Sequence, residues 1–173
     1  MKSKRSLVVS NAGPLIHLSK INLLHLLKEM YQEVVIPHEV KVETVDHGRE
    51  RGFPDAMQIE NAINEGWIRV EEAKLAAEFT NMAQTTGLKI AEAAVIYYAY
   101  KNNGIALLDE DSARTFARTL GIPIRGSLGI ILEGLRRSFL SRIEALKALE
   151  KLSEIMYLSA DLYRIVRDEI EKK

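Results

Sequence analysis

Short unbroken apolar runs alternate along the chain with longer stretches in which apolar positions recur every three or four residues. "LVVS" (7–10) is continuous and β-branched, which predicts a strand buried on both faces, and "EVVIP" (33–37) predicts a second. "GIALLDEDS" (104–112) predicts a third buried strand that ends in a burst of acid. "GWIRVEE" (66–72) fits a short strand near a sheet edge, and "IPIRGS" (122–127) a short strand or strand-like segment.

Helical spacing covers 14–30, 38–47, 55–65 and 74–84, with Pro14 and Pro37 placed where a first helical turn starts. The stretch "KIAEAAVIYYAYKN" (89–102) is apolar nearly all round, the mark of a core helix. "SARTFARTLG" predicts a helix closed by Gly121, and further helices are expected over 128–138, 141–154 and 159–172. Strands alternating with helices predict an α/β fold with a mainly parallel sheet of about four to five short strands flanked by helices. One domain is expected over 1–173. Residues 138–173 would form a helical extension, packed on the core or at a dimer interface through Ile143, Leu146, Leu149, Leu152, Leu162, Ile165, Val166 and Ile170.

Composition narrows the class. At 173 residues, 47% of them hydrophobic and 28% charged, the chain suits a globular domain burying about two-thirds of its unfolded surface. No apolar run approaches the roughly 20 residues of a membrane span, so no membrane association is expected. The basic start "MKSKRS" leads into an apolar run cut short by Ser10 and Asn11, unlike a signal peptide. Cysteine is absent, which excludes disulfides and thiolate metal sites and suits a cytoplasmic protein. The 24 basic and 24 acidic residues cancel, so any nucleic-acid contact must be local rather than a global basic field. Phosphate-cradling glycine loops and the nucleophile elbow are missing, and His17, His25, His38 and His47 lack zinc spacing, which leaves them solvated or locally bonded.

Candidate chemistry gathers at strand ends, because ligands of open parallel sheets bind outside the carboxyl ends of the strands. Ser10 and Asn11 end the first strand, and Asp109, Glu110 and Asp111 end "IALL"; neighbouring strands would bring them to one rim. Asn11 also reads as a helix N-cap, and the three acids as first-turn residues favoured by the helix dipole. Glu92 is the only carboxylate between Ile90 and Tyr100, and its burial costs several kcal/mol unless compensated. An ion pair with Lys89 or an arginine, a tilt into solvent, or metal ligation would each compensate it. Glu39 and Glu43 share a helix face; Glu39 is an ordinary first-turn acid, whereas Glu43 is either solvated or a ligand. In "RGSLG" (125–129), Ser127 stands at an expected N-cap whose backbone N–H groups are able to receive a phosphate.

The segments "VVSNAGPLIHLSK" and "LLDEDSARTFARTLGIPIRGSLG" resemble the PIN-domain family, in particular its VapC-like ribonuclease branch. The resemblance runs from residue 7 to about 137 and is looser over 44–86. It implies a three-layer fold with an acidic cluster that binds one or two Mg²⁺ or Mn²⁺ ions. Carried over by position, the metal ligands are Asn11, Glu43, Glu92 and Asp109, with Asp111 auxiliary, and the catalytic set is Glu43, Glu92, Asp109 and Asp111. Ser10, Arg114, Arg125 and Ser127 are candidate RNA-phosphate contacts. The resemblance further implies an RNA substrate, a small antitoxin partner and a homodimer. Such chemistry suits an all-oxygen site, since Mg²⁺ needs a few carboxylates and paired ions about 3.5–4 Å apart activate water and offset phosphate charge.

Many relatives carry Asp where this chain has Asn11, which removes one formal negative charge. That substitution supports a second reading, a PIN-fold binding or regulatory module with weak or absent catalysis. A third treats "ALLDEDS" as a haloacid-dehalogenase-like phosphatase motif with Asp109 as nucleophile and Asp111 as acid/base, although Ala113 replaces the Thr or Val usual there.

Overall fold

A computed structural model describes residues 6–173. Five strands, β1 (Val8–Ser10), β2 (Val34–Pro37), β3 (Ile68–Glu71), β4 (Ile105–Leu107) and β5 (Ile124–Arg125), form one parallel sheet in the order β3-β2-β1-β4-β5. The unbroken apolar runs occupy its centre, because a central parallel strand is covered by helices on both faces. The alternating segment around Trp67 supplies β3 at an edge. Register aligns Val9 with Val35 on one side and with Ala106 on the other, and pairs Ser10 with Leu107.

Parallel pairing forces every connection to cross the sheet, and helices do this here. On one side, α1 (Ala12–Lys20) packs against α5 (Pro54–Asn64) and α9 (Ser127–Arg136), with α2 (His25–Tyr31) beside α9. On the other, α7 (Ile90–Lys101) lies across β1, β2 and β4 between α6 (Ala77–Thr85) and α8 (Asp111–Thr119). This is a three-layer α/β architecture. The apolar circumference of α7 follows from its position: Ala93, Ala94, Val95, Ile96 and Ala99 are all buried.

One expected helix divides in two. The spacing over 14–30 has no glycine or proline to interrupt it, yet the chain breaks between α1 and α2. Asn22 adopts a left-handed backbone (φ 60°), Leu23 N–H donates to Leu18 O at 2.8 Å and Asn22 N–H to Ser19 O at 3.0 Å. That is a Schellman closure with asparagine in the usual glycine position. Gly121 (φ 71°) closes α8 in the same way through Ile122 N–H to Ala117 O.

The helix after β2 is continuous over 38–50 but not uniform. Between α3 (His38–Lys41) and α4 (His47–Glu50), Val42–Asp46 forms a π-helical turn, a local widening often found at functional sites. At the C-terminal end, α10 (Arg142–Ile155) and α11 (Ala160–Glu171) pack on α9 and on each other, burying Leu149, Leu152, Val166 and Ile170 in the common core. Ile143 and Ile165 remain 66% and 59% exposed. Among the described residues, no helix is long and apolar enough to cross a membrane.

Leu107 is fully buried in β4, so Leu107→Ala is expected to lower stability by about 2–5 kcal/mol. Urea denaturation would show this as a lower midpoint with an unchanged slope.

Candidate active site

The strand order reverses at β1. The chain passes from β1 outward to β2 and β3, then crosses to the far side of β1 for β4 and β5. Connections leave β1 and β4 in opposite directions, opening a crevice at their carboxyl ends, the usual ligand position of such sheets. Asn11 N–H donates to Leu107 O at 3.0 Å, extending the ladder one residue past β1 and bringing Asn11 level with the end of β4. The starts of α1, α3, α8 and α9 follow strand ends, and α7 runs back toward β4, so their N-termini all face this edge.

Asp109 lies at the centre of the rim and gathers three donors. His17 Nδ1 approaches Oδ2 at 2.7 Å, Ser127 Oγ donates to Oδ2 at 2.6 Å, and Ser127 N–H donates to Oδ1 at 2.7 Å. An ionised carboxylate only accepts, so Nδ1 is the protonated ring nitrogen. Burial opposes ionisation of Asp109, but the hydrogen bonds from His17 and Ser127 and the His17 charge hold its carboxyl below the usual carboxylate range. Ser127 is the first residue of α9, not its cap; Gly126 is the cap, and the Ser127 side chain turns to Asp109 instead.

Asn11 caps α1 by position but makes no side-chain cap hydrogen bond, and its Oδ1 is buried without a partner. An orphaned buried acceptor costs about 1–3 kcal/mol, so the local backbone alone does not account for it. Glu92 is 4% exposed, and its Oε2 accepts Lys89 N–H at 2.9 Å, one half of a capping arrangement on its own helix. Among the described residues, compensation thus comes from backbone and not from an ion pair. Glu39 Oε2 is also buried without a partner, whereas Glu43, inside the π-helical turn, is exposed.

The acidic burst separates into different environments. Glu110 caps α8 and Asp111 opens it, both exposed; only Asp109 turns into the rim. The other candidates are engaged locally. Ser10 Oγ donates to Asn11 O, and Arg114 Nη1 donates to Leu108 O at 2.9 Å. Arg125 Nε reaches Glu133 Oε2 at 3.3 Å in a knot where Tyr31 Oη and Arg137 also meet that carboxylate. Burial and the Glu133 charge push the Tyr31 phenol upward.

Asp109 and Ser127 therefore meet on the rim, with Asn11 at the neighbouring strand end, while Glu43 and Asp111 stand on exposed surface. Among the described residues, no three His, Asp or Glu side chains are close enough to hold a metal ion together. His17 is the site residue that the histidine spacing concealed. Its signal is Gly13 four residues earlier on the same face of α1: a Cβ built on Gly13 would lie 3.4 Å from Asp109 Cβ.

A family model described as DUF3368, PIN domain, matches residues 7–172. No curated protein matches the chain. Among solved structures, PAE2754 from Pyrobaculum aerophilum is similar at 14% identity and a TM-score of 0.47, over 67% of this chain and 97% of that one.

Because Asp109 titrates lower folded than unfolded, its stabilising contribution is present above the unfolded value of about 3.9 and is lost as pH falls through the folded value. Melting curves should show stability declining less steeply below about pH 4 in Asp109→Asn than in the wild type.

Proposed function

Because the chain belongs to the PIN-domain family, which has a nuclease-type fold, we propose that it is a divalent-metal-dependent ribonuclease that hydrolyses RNA phosphodiester bonds, the toxin of a toxin–antitoxin pair. The observation that carries this reading is the buried, unpartnered Asn11 Oδ1 at the switch point, on the strand end whose backbone pairs with Leu107, two residues before Asp109. An amide oxygen joined by carboxylates would make a hard donor set, suited to Mg²⁺ or Mn²⁺ rather than to a softer metal. Asn11, Glu92 and Asp109 would hold the cation, and Glu43 and Asp111, which stand apart on exposed surface, would have to swing inward to reach it. A divalent ion bound there supplies an acidified water and offsets phosphate charge.

The chain's own groups perform the rest. His17 and Ser127 keep Asp109 ionised and in one orientation. Helix N-termini facing the edge favour an approaching phosphate through their dipoles, so a neutral chain needs no wide basic field. Ser127, through its backbone and hydroxyl, and Arg114, in the first turn of α8, are the substrate-side candidates nearest Asp109. Ser10 lies behind the rim, and Arg125 would have to leave Glu133 to reach a phosphate. A small antitoxin would bind to silence the site. Ile143, Leu162 and Ile165, exposed on α10 and α11, supply apolar surface for a homodimer.

A second reading, a PIN-fold binding or regulatory module, draws on a specific observation. Both oxygens of Asp109 already accept hydrogen bonds, and Asn11 brings one negative charge fewer than Asp would. Nothing comparable favours the phosphatase reading, in which Asp109 would need a free oxygen to attack.

Purified protein incubated with labelled RNA and Mn²⁺ or Mg²⁺ is expected to cut it, and Glu92→Gln or Asp109→Asn to slow cutting by at least about 100-fold, the upper end of what losing a partner that merely orients a metal ligand costs. Wild type and variants that are equally inert, yet bind RNA without added metal, would establish the binding module instead.

A further inference from the structure

We infer that the exposed face of α8 is a contact for the RNA backbone, with Arg114 and Arg118 each taking a phosphate of one single strand as it leaves the rim. This rests on the RNA substrate proposed above and specifies where that strand lies.

Residues 112–132 contain three arginines and no Asp or Glu, although the whole chain balances 24 basic residues against 24 acidic ones. They form α8, β5 and the start of α9, so this local excess of positive charge lies at the β5 edge of the sheet. Arg125 is paired with Glu133. Among the described residues, Arg114 and Arg118 are in no ion pair. On α11, by contrast, Arg164 and Arg167 each meet an acid three or four residues away.

α8 buries Ala113, Phe116 and Ala117, which leaves Arg118 exposed and Arg114 half-buried. A spacing of four residues puts the two arginines on one side of the helix, a turn apart. Burial first, and then the Arg118 charge, hold the Arg114 guanidinium below the usual arginine range, so the two cations repel. Such a pair weakens its helix slightly unless an anion offsets it. Arg114 Nη1 donates to Leu108 O, which fixes this end of the pair near Asp109: a Cβ on Gly126 would lie 2.8 Å from Nη1 and 3.0 Å from Asp109 Oδ1. Glu110 and Asp111 precede the pair, so attraction for an anion begins at Arg114 and runs outward to Arg118. Ser112 and Thr115 add exposed hydroxyls, groups that commonly contact phosphate and sugar. Among the described residues, no large hydrophobic side chain of α8 is exposed. A face with cations and hydroxyls but no apolar centre suits a nucleic-acid backbone better than a protein surface.

The test is fluorescence anisotropy of a labelled single-stranded oligoribonucleotide titrated with the full chain over a range of salt concentrations, without divalent metal. Cutting of the same RNA with Mn²⁺ is followed separately. Wild type is compared with Arg118→Ala, Arg118→Glu and Arg118→Lys, and with Arg136→Ala, which removes an exposed arginine at the opposite end of α9. Arg118→Ala is expected to bind about 5-fold more weakly, the upper end for an exposed charge pair. Its log–log salt slope should be shallower by about 0.7, the value of one phosphate contact on a single strand. Arg118→Glu should bind more weakly still, and Arg118→Lys and Arg136→Ala close to wild type. Wild-type affinity and slope in both Arg118→Ala and Arg118→Glu would overturn the inference, while cutting by the wild type would leave the ribonuclease reading standing. An equal loss in Arg136→Ala would reduce the effect to net charge and overturn it too. RNA binding that depends on Arg118, with no cutting, would support the inference and overturn the ribonuclease reading alone. Wild type that binds no RNA would overturn both, and binding of poly-glutamate through Arg118 in its place would assign the face to an acidic protein.

Discussion

The parallel pairing of β1 with β4 is the constraint from which the rest of the architecture follows. Val8, Val9 and Ser10 lie beside Ile105, Ala106 and Leu107, and the Asn11 N–H continues the ladder onto Leu107 O. β2 and β3 extend the sheet on one side of this seam and β5 on the other, so the connecting helices diverge and leave the strand ends uncovered. A slip of one residue would exchange the faces of every side chain in β1 and carry Asn11 away from Asp109.

The polar groups at the rim are compensated one at a time. Asp109 is satisfied by His17 and Ser127, and Glu92 by the backbone of Lys89. Glu110 and Asp111 lie in water at the start of α8, where the helix dipole favours them. Among the described residues three buried side-chain oxygens lack a partner, and two of them, Asn11 Oδ1 and Glu39 Oε2, follow strand ends. A ligand supplying positive charge or donors would gain most there.

Most elements were legible because each stretch carries its own period. The β-branched runs became β1, β2 and β4, and Gly121 ended α8. The division between α1 and α2 was not legible, since Asn22 does the work of a glycine and an asparagine seldom signals a stop. The π-helical turn was equally silent, because it changes hydrogen bonding without a distinctive residue. Among site residues, Glu92 stood out as a lone acid on an apolar helix. The same reasoning kept Glu39 as an ordinary first-turn acid, whereas the fold buries one of its oxygens and leaves Glu43 exposed.

The amino-acid order by itself determined the α/β class, the buried strands and the polar residues at their ends, because periodicity and turn chemistry are local properties. Only the tertiary structure decided which polar ends share a rim and what each one touches. His17 and Asp109 are separated by 92 positions, and their contact exists because a core-anchored helix and a strand end are brought together by packing. Hydrogen-bond geometry of that kind depends on distances of a few tenths of an ångström, which no local pattern encodes.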